Sequence, residues 1–246
     1  MKNLSFILLI MMISVSSFSQ TPVKDNDGNL KNGFYEEKVK NNIAKGNYAD
    51  GIKEGNWITY QKNGMVKSIE FFTKGKLNGL KLIIDNRGFV VKQEYYKNNL
   101  LNGLATKYNF GRKILSEINY KDGEIDGLYK KFYDNGKVQQ ESVYLHGMKN
   151  GETKWYGPNG KIIAIYNYRN NDFEGAIETF YENGNKLSEE FYKNNLPIGE
   201  YIEYFNKGKV KIKGEYKDGK KNGKWIEFNE DGTIKEEIKY RNGEKR

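Results

Sequence analysis

The sequence of 246 residues contains no cysteine, a single histidine and only three prolines. Without cysteine the chain has neither a disulfide framework nor a thiol for nucleophilic catalysis or lipid attachment. The single histidine, His146, cannot build a multi-histidine metal site, and its turn sequence YLHGMKNG predicts an exposed residue rather than a member of a catalytic triad. We therefore expect a protein that is not an enzyme and that uses no cofactor.

Signals for metal and phosphate sites are equally sparse. One acidic segment has the spacing of a calcium loop, with Asp25, Asp27, Asn29 and Glu36 at the ligand positions. Leu30, however, stands where that loop needs glycine for its bend. No glycine-rich loop opens a helix, and helical periodicity is missing after residue 20. We expect neither a bound metal nor a phosphate loop.

Long apolar runs are rare, and the one that stands out lies at the N-terminus, from Leu4 to Val15. Lys2 precedes it, and Ser17-Phe18-Ser19 follows with the small residues of a cleavage site. This pattern is typical of a secretory signal peptide and is too short for a membrane span. We expect residues 1–19 to be removed and the mature chain to begin at Gln20. The protein would then be exported to the periplasm or secreted, without a transmembrane segment.

What the sequence does contain is a repeat. The phrases GNYADGIKEGNW (46–57) and GEYKDGKKNGKW (214–225) nearly coincide, and a glycine recurs between them every 24 residues. The repeat glycines are Gly55, Gly79, Gly103, Gly127, Gly151, Gly175, Gly199 and Gly223. Seventeen residues after each stands an aromatic residue, namely Phe72, Tyr96, Tyr120, Tyr144, Tyr168, Tyr192, Tyr216 and Tyr240. A fixed period of this length is the signature of a stacked array.

Each repeat has the pattern of a β-hairpin. Between Gly127 and Gly147, two runs that favour β-strands flank the turn Asp134-Asn135-Gly136. A second turn, such as KDGKKNG, leads into the next copy. The fold class predicted is therefore all-β, an elongated single-layer antiparallel meander of repeated 24-residue hairpins. A sheet with so many strands exceeds the usual size of an open sheet, so we expect it to be coiled or curved.

The chain divides into four segments on this pattern. Residues 1–19 are the signal peptide, 20–32 a flexible leader, 33–54 a shortened first hairpin and 55–246 eight full repeats. One repeat departs from the others, because Arg112 replaces the turn glycine and Gly111 precedes it. Either that turn is shifted by one residue or Arg112 adopts a left-handed conformation.

The stretches DGKKNGKWIEFNEDGTIKEEIKY and NGETKWYGPNGKIIAIYNY resemble the bacterial variant of the MORN repeat. The resemblance covers residues 33–246. It implies a fold of β-hairpin modules and a non-catalytic role based on contacts. Bacterial chains built from this variant are often described as antitoxin-type components, which implies a toxin as one class of partner.

The charge distribution indicates an anionic ligand as another class of partner. The chain has a formal net charge of +9, and residues 206–224 hold eight lysines beside Glu215 and Asp218. An acidic protein, an envelope polysaccharide or phospholipid headgroups would complement this stretch. Nucleic acid would suit the chemistry but not an exported protein, and a solubilising role for the lysines is the simpler interpretation.

Three functions therefore remain open from the sequence, with an exported scaffold for a protein partner favoured. The others are an antitoxin or immunity component and a binder of anionic envelope material. Repeat arrays bind through extended surfaces, and the position two residues after each repeat glycine varies most. The predicted contact residues are Tyr201, Lys211, Lys213 and Trp225, in repeats seven and eight. The alternative is that these aromatic residues merely cover neighbouring hairpins.

Overall fold

The structure, a computed structural model, describes residues 20–246, and these form one antiparallel sheet of twenty strands without a helix. The predicted all-β hairpin meander is confirmed. The signal peptide predicted for residues 1–19 lies outside the described residues. The strands are β1 Gly33–Val39, β2 Asn42–Ala49, β3 Ile52–Tyr60, β4 Val66–Thr73, β5 Lys76–Ile84, β6 Val90–Lys97, β7 Leu100–Leu101, β8 Gly103–Tyr108, β9 Ile114–Lys121, β10 Glu124–Phe132, β11 Val138–Leu145, β12 Met148–Tyr156, β13 Ile162–Arg169, β14 Asp172–Phe180, β15 Lys186–Lys193, β16 Leu196–Tyr204, β17 Val210–Lys217, β18 Lys220–Phe228, β19 Ile234–Arg241 and β20 Glu244–Lys245.

Each strand pairs with the next along the chain, so the sheet is a meander. One strand is interrupted at Asn102, and β6 therefore pairs with both of its parts, β7 and β8. Within residues 20–246 no pairing joins the first strand to the last, which leaves the sheet open at β1 and β20.

The turn inside each repeat is a three-residue loop with a left-handed last residue. In the first repeat the amide of Gln61 donates to the Met65 carbonyl at 2.8 Å and the amide of Gly64 donates to Gln61 at 2.9 Å. Gly64 has a φ of 81°, the conformation that this hairpin loop requires. Glycine fills the same place in six other repeats, at Gly88, Gly136, Gly160, Gly184, Gly208 and Gly232. In the remaining repeat Arg112 has a φ of 62°, so the left-handed alternative is the one the structure shows.

The turn between repeats is shorter. Asp218 and Gly219, for example, connect β17 to β18 with φ values of 50° and 79°, and Lys217 pairs directly with Lys220. Two positive φ angles in succession define the turn that matches the natural twist of a hairpin.

The repeat glycines lie within strands and are required by the backbone. All eight have positive φ, between 68° at Gly199 and 142° at Gly79. At some of them a side chain would also be crowded, since a Cβ on Gly103 would lie 3.2 Å from that of Tyr95. The period of 24 residues therefore marks a recurrent bend of the strand rather than a turn.

The buried apolar side chains of the array lie mainly on one face of the sheet, where a row of side chains crosses the middle of the strands. We call this face the inner face and the row the central row. Its members are Tyr35, Gly46, Trp57, Glu70, Lys81, Glu94, Ala105, Ile118, Tyr129, Ser142, Thr153, Tyr166, Ile177, Glu190, Tyr201, Gly214, Trp225 and Ile238. Ser142 and Thr153 are fully buried, although the sheet is one layer thick. Such burial is consistent with a sheet that curves about its inner face.

The N-terminal part of the described chain packs on the first hairpins. The amide of Val23 donates to the Gly51 carbonyl at 2.8 Å, and the amide of Gly51 donates to Lys31 at 2.8 Å. The first hairpin is shorter than the others because Val39 pairs directly with Asn42 and leaves a two-residue turn. The division of the chain into leader, first hairpin and eight repeats stays a prediction.

Candidate interaction surfaces

The two tryptophans of the central row each lie over a glycine of the preceding strand. A Cβ on Gly214 would overlap the indole ring of Trp225, and the same holds for Gly46 and Trp57. The Trp225 indole N–H donates to the Glu215 carbonyl at 3.2 Å, and Lys221 lies 4.0 Å above the ring. This unit explains why the phrases at 46–57 and 214–225 coincide, because both contain the glycine, the lysine and the tryptophan that compose it.

Between these two units, side chains that face each other in the central row are complementary in size or in chemistry. A large residue on one strand faces a smaller one on the next, as in Ile118 opposite Tyr129. Where both are small and polar they bond to each other, since the Thr153 hydroxyl donates to Ser142 at 3.0 Å. The position is therefore variable from repeat to repeat and yet well packed throughout.

The central row contains three carboxylates, and two of them have an ion-pair partner. Glu70 pairs with Lys81 at 2.7 Å, and the buried Glu94 pairs with Lys92 at 2.7 Å. Glu190 has no ion-pair partner among residues 20–246. Burial raises the pKa of Glu190, and a hydrogen bond from Tyr192 offsets part of this effect.

The four predicted contact residues do not share one surface. Trp225 is buried, with 6% of its surface exposed, and the ring of Tyr201 stacks on it at 5.4 Å between centroids. Lys211 lies near them and pairs with Glu203 at 2.7 Å. Lys213 belongs to the opposite, outer face, where it pairs with Glu200 at 2.6 Å. The two aromatic residues cover neighbouring hairpins, and a contact role for the four residues stays a prediction.

The basic stretch 206–224 is largely engaged within the protein. Lys224 pairs with Glu237 at 2.8 Å, as Lys211 and Lys213 do with their own glutamates. Lys209 donates to the carbonyl of Glu230 at 2.8 Å, and Lys221 packs on Trp225. The concentration of lysine in the sequence is therefore not a concentration of free charge on one surface.

An exposed apolar row crosses the outer face of the first four repeats. We call it the outer row, and it consists of Phe71, Leu80, Tyr95, Leu104, Leu128 and Val143. All except Leu80 expose more than a third of their surface. The row is not among the predictions made from the sequence. Its residues stand at two positions of the repeat, one residue and sixteen residues after each repeat glycine. Asn56 and Asn119 are the polar residues at these positions in repeats one to four. In repeats five to eight the row is mostly polar, with Glu200 opposite Glu215 and Lys224 opposite Lys239, but repeat six has Ala176 opposite the exposed Phe191.

Repeats two and three carry a second feature at their turns, a groove of about 500 Å³. Its apolar lining comes from Ile83, Val91, Tyr108, Phe110 and Leu115, and Asp85, Lys92, Lys107 and Asn109 complete it. Phe110 is the most exposed of the large apolar residues in the described chain, at 75%. The groove is therefore mainly apolar, with a few polar side chains at its wall.

The candidate catalytic histidine and the aspartates of the candidate calcium loop lie in turns and loops of the structure. His146 is exposed in a turn, as predicted, 3.5 Å from Asp126. No group of three or more histidine, aspartate or glutamate side chains in residues 20–246 is placed to hold a metal ion. Asp25 instead accepts hydrogen bonds from the amides of Asp27 and Asn29 in its own loop. No helix long and apolar enough to cross a membrane occurs in the same range.

Comparison with known families agrees with this architecture. The family model described as MORN repeat variant matches six segments, 53–79, 125–146, 149–170, 173–194, 197–218 and 221–242. The chain belongs to the MORN repeat variant family. Each match after the first begins two residues before a repeat glycine and ends in the next two-residue turn, so MORN repeat boundaries and hairpin boundaries coincide.

MORN repeats suggest a repeat scaffold for protein or lipid binding, and the family is in general a non-catalytic one. No curated protein matches the chain. The bacterial and antitoxin-type features of the resemblance stay predictions. Residues 80–124, with the groove and Phe110, lie outside the matched MORN segments.

Proposed function

We propose that the protein is an exported, non-enzymatic scaffold that binds a protein partner along the outer face of its sheet. The observation that carries this proposal is the outer row, which leaves apolar side chains of repeats one to four exposed on both sides of Asn119. Monomeric soluble proteins rarely expose contiguous apolar surface of this kind unless it is used for binding. The export part of the proposal is supported by the sequence of residues 1–19.

The chemistry of the outer row favours a protein over an anionic polymer. Aromatic and aliphatic side chains predominate in it, and aromatic residues are enriched in the energetic centres of protein interfaces. Four of the eight lysines in the stretch 206–224, which an anionic polymer would need, are paired with glutamates or bonded to a carbonyl. A toxin is one class of protein that this surface would fit.

Site-specific photo-crosslinking in the native cells tests the proposal. A benzophenone amino acid at Leu104 or Leu128 is expected to give a discrete protein adduct, whereas the same group at the exposed Lys224 is not. Adducts to lipid alone, or equal adducts from all three positions, would overturn the proposal. A partner that is toxic when expressed by itself would identify the antitoxin form of the function.

The export part has its own test. N-terminal sequencing of the purified protein is expected to begin at Gln20, and fractionation is expected to place it outside the cytoplasm. An intact Met1 on a cytoplasmic protein would contradict export. The crosslinking experiment would still test the binding function independently.

A further inference from the structure

The turn of repeat three differs from its seven counterparts in two ways. Arg112 occupies the left-handed position that glycine fills elsewhere, with a φ of 62°. Phe110, two residues earlier, directs an aromatic ring into solvent, where the other repeats have polar residues, lysine or proline. A non-glycine residue in this conformation has a cost in free energy, and such costs concentrate at functional sites.

The aromatic rings of this region are held in place by two arginines. The Arg87 guanidinium lies 4.9 Å from the Phe110 ring centroid and donates to the Phe110 carbonyl at 3.2 Å. Asp85 fixes Arg87 in turn, with an ion pair at 2.9 Å. Arg112 lies 4.3 Å from the ring of Phe89. These contacts order the rings before any partner binds, which reduces the entropy lost on binding.

The groove beside Phe110 combines an apolar lining with positive charge in its wall and in the adjoining turn. Its carboxylate Asp85 is neutralised by Arg87, and the neighbouring Glu94 is neutralised by Lys92. Lys107 lines the groove, and Arg112 follows Phe110 in the same turn. Neither of these two cations has an ion-pair partner among residues 20–246.

We propose that this groove binds a segment of a protein partner that places an apolar side chain against Phe110 and an adjacent carboxylate near Lys107 and Arg112. The inference rests on the proposed scaffold function and specifies a second contact on the same partner. The guanidinium of Arg112 is suited to a carboxylate because it forms planar, charge-assisted hydrogen bonds. Arginine commonly dominates binding energy at interfaces, and phenylalanine is enriched in them.

Selection of a random peptide library on the full-length protein tests the chemistry. Peptides with leucine or phenylalanine beside aspartate or glutamate are expected to be enriched. A synthetic peptide of the selected sequence is expected to bind about tenfold or more tightly than its copy with asparagine or glutamine in place of the acids, since each lost charge-assisted bond changes the affinity by about that factor. Enrichment of basic or neutral peptides would overturn the proposal.

Two substitutions locate the site. Phe110→Ser and Arg112→Gly are each expected to weaken the peptide by about tenfold or more. Arg112→Gly restores the glycine of the other repeats, so the variant is expected to be at least as stable as the original protein, and lost binding cannot then be attributed to unfolding. Lys113→Gln removes a charge from the same turn whose amine already donates to the Asp134 carbonyl at 2.6 Å; it is the matched control and is expected to bind normally.

The outcomes separate this proposal from the scaffold function itself. Unchanged peptide affinity in both groove variants would overturn the groove proposal, and crosslinks from Leu104 would still support the scaffold. If a benzophenone at Leu104 gives no protein adduct but the peptide still binds through the groove, only the outer-face scaffold is overturned. If the variants change binding to vesicles of anionic phospholipid instead of the peptide, the assignment to a protein segment is wrong.

Discussion

The indole ring of Trp225 occupies the space that a side chain on Gly214 would need. Gly214→Ala is therefore expected to destabilise the last repeats by about 1–3 kcal/mol, the usual effect of overpacking. Urea unfolding followed by tryptophan fluorescence and circular dichroism measures the change. The effect should depend on the indole, so the same substitution in a Trp225→Ala background is expected to cost little. Equal costs in both backgrounds would show that the glycine is required for another reason.

Variation in the central row has a packing explanation that the sequence alone did not reveal. Taken from the sequence alone, the position two residues after each repeat glycine favours a recognition column, because it holds residues as different as Trp57 and Thr153. Each of these residues faces a complementary one eleven positions earlier, Gly46 for Trp57 and Ser142 for Thr153. Pairs at that separation are visible in the sequence, but they have meaning only once the strand register is known.

Other parts of the fold were predictable because they depend on local chemistry. The turn glycines indicated hairpins, since few other residues adopt positive φ at low cost, and the period indicated a stacked array. The outer row and the groove were not predicted. Which positions share a face depends on the register shifts beside each repeat glycine, for example between Ser142 and Tyr144 on β11. Alternation along a strand does not foresee those shifts.

The tyrosine column of the inner face is expected to support the fold. Tyr144 is half-buried, and its ring centroid lies 6.0 Å from that of Tyr129. Tyr144→Ala is expected to lower the free energy of unfolding by about 2 kcal/mol, at the low end for truncation of a large core side chain because part of the ring is exposed. The neighbouring Val143 points to the outer face, so Val143→Thr is the control and should change stability by less than about 0.5 kcal/mol. Similar effects of both substitutions would contradict the assignment of the faces.

Alkaline solution is expected to destabilise the protein through its half-buried tyrosines. Burial, together with neighbouring glutamates, raises the pKa of Tyr96, Tyr156 and Tyr192 to about 12, from an ordinary value of 10.0. Between these values the native state binds more protons than the unfolded state, so stability falls as pH rises. Below pH 10.0 the contribution is fully present, and it is lost as the pH approaches about 12.

A series of thermal unfolding curves from pH 8 to pH 12 measures this dependence. Ultraviolet absorbance of tyrosinate reports the ionisation separately. Tyr156→Phe removes one raised pKa, together with the hydrogen bond to Glu141 at 2.8 Å, and is expected to reduce the slope of stability against pH. An unchanged slope in this variant would show that Tyr156 does not contribute to the effect.

Glu190 and Glu203 are both carboxylates of the inner face, and we expect opposite results when each is changed to glutamine. Glu190 lacks a cationic partner within residues 20–246, and burial raises its pKa above 4.5. Its ionised form is therefore disfavoured in the native state, and the stability that its protonated form provides is lost as pH rises through the folded-state pKa. Glu190→Gln is expected to raise Tm at pH 7, and the difference should vanish below about pH 4, where the carboxyl is protonated in both states.

Glu203 supplies the matched control for this prediction. Its carboxylate pairs with Lys211 at 2.7 Å and accepts a hydrogen bond from Tyr201 at 3.2 Å. Removal of the charge leaves Lys211 without its partner, so Glu203→Gln is expected to lower Tm at pH 7, by an amount that decreases as salt screens the pair. Differential scanning calorimetry of the two variants at both pH values measures the contrast. A fall in Tm for Glu190→Gln at pH 7 would contradict this prediction. It would mean that the Glu190 carboxylate has a favourable partner in the native protein, such as a cation next to it in the central row.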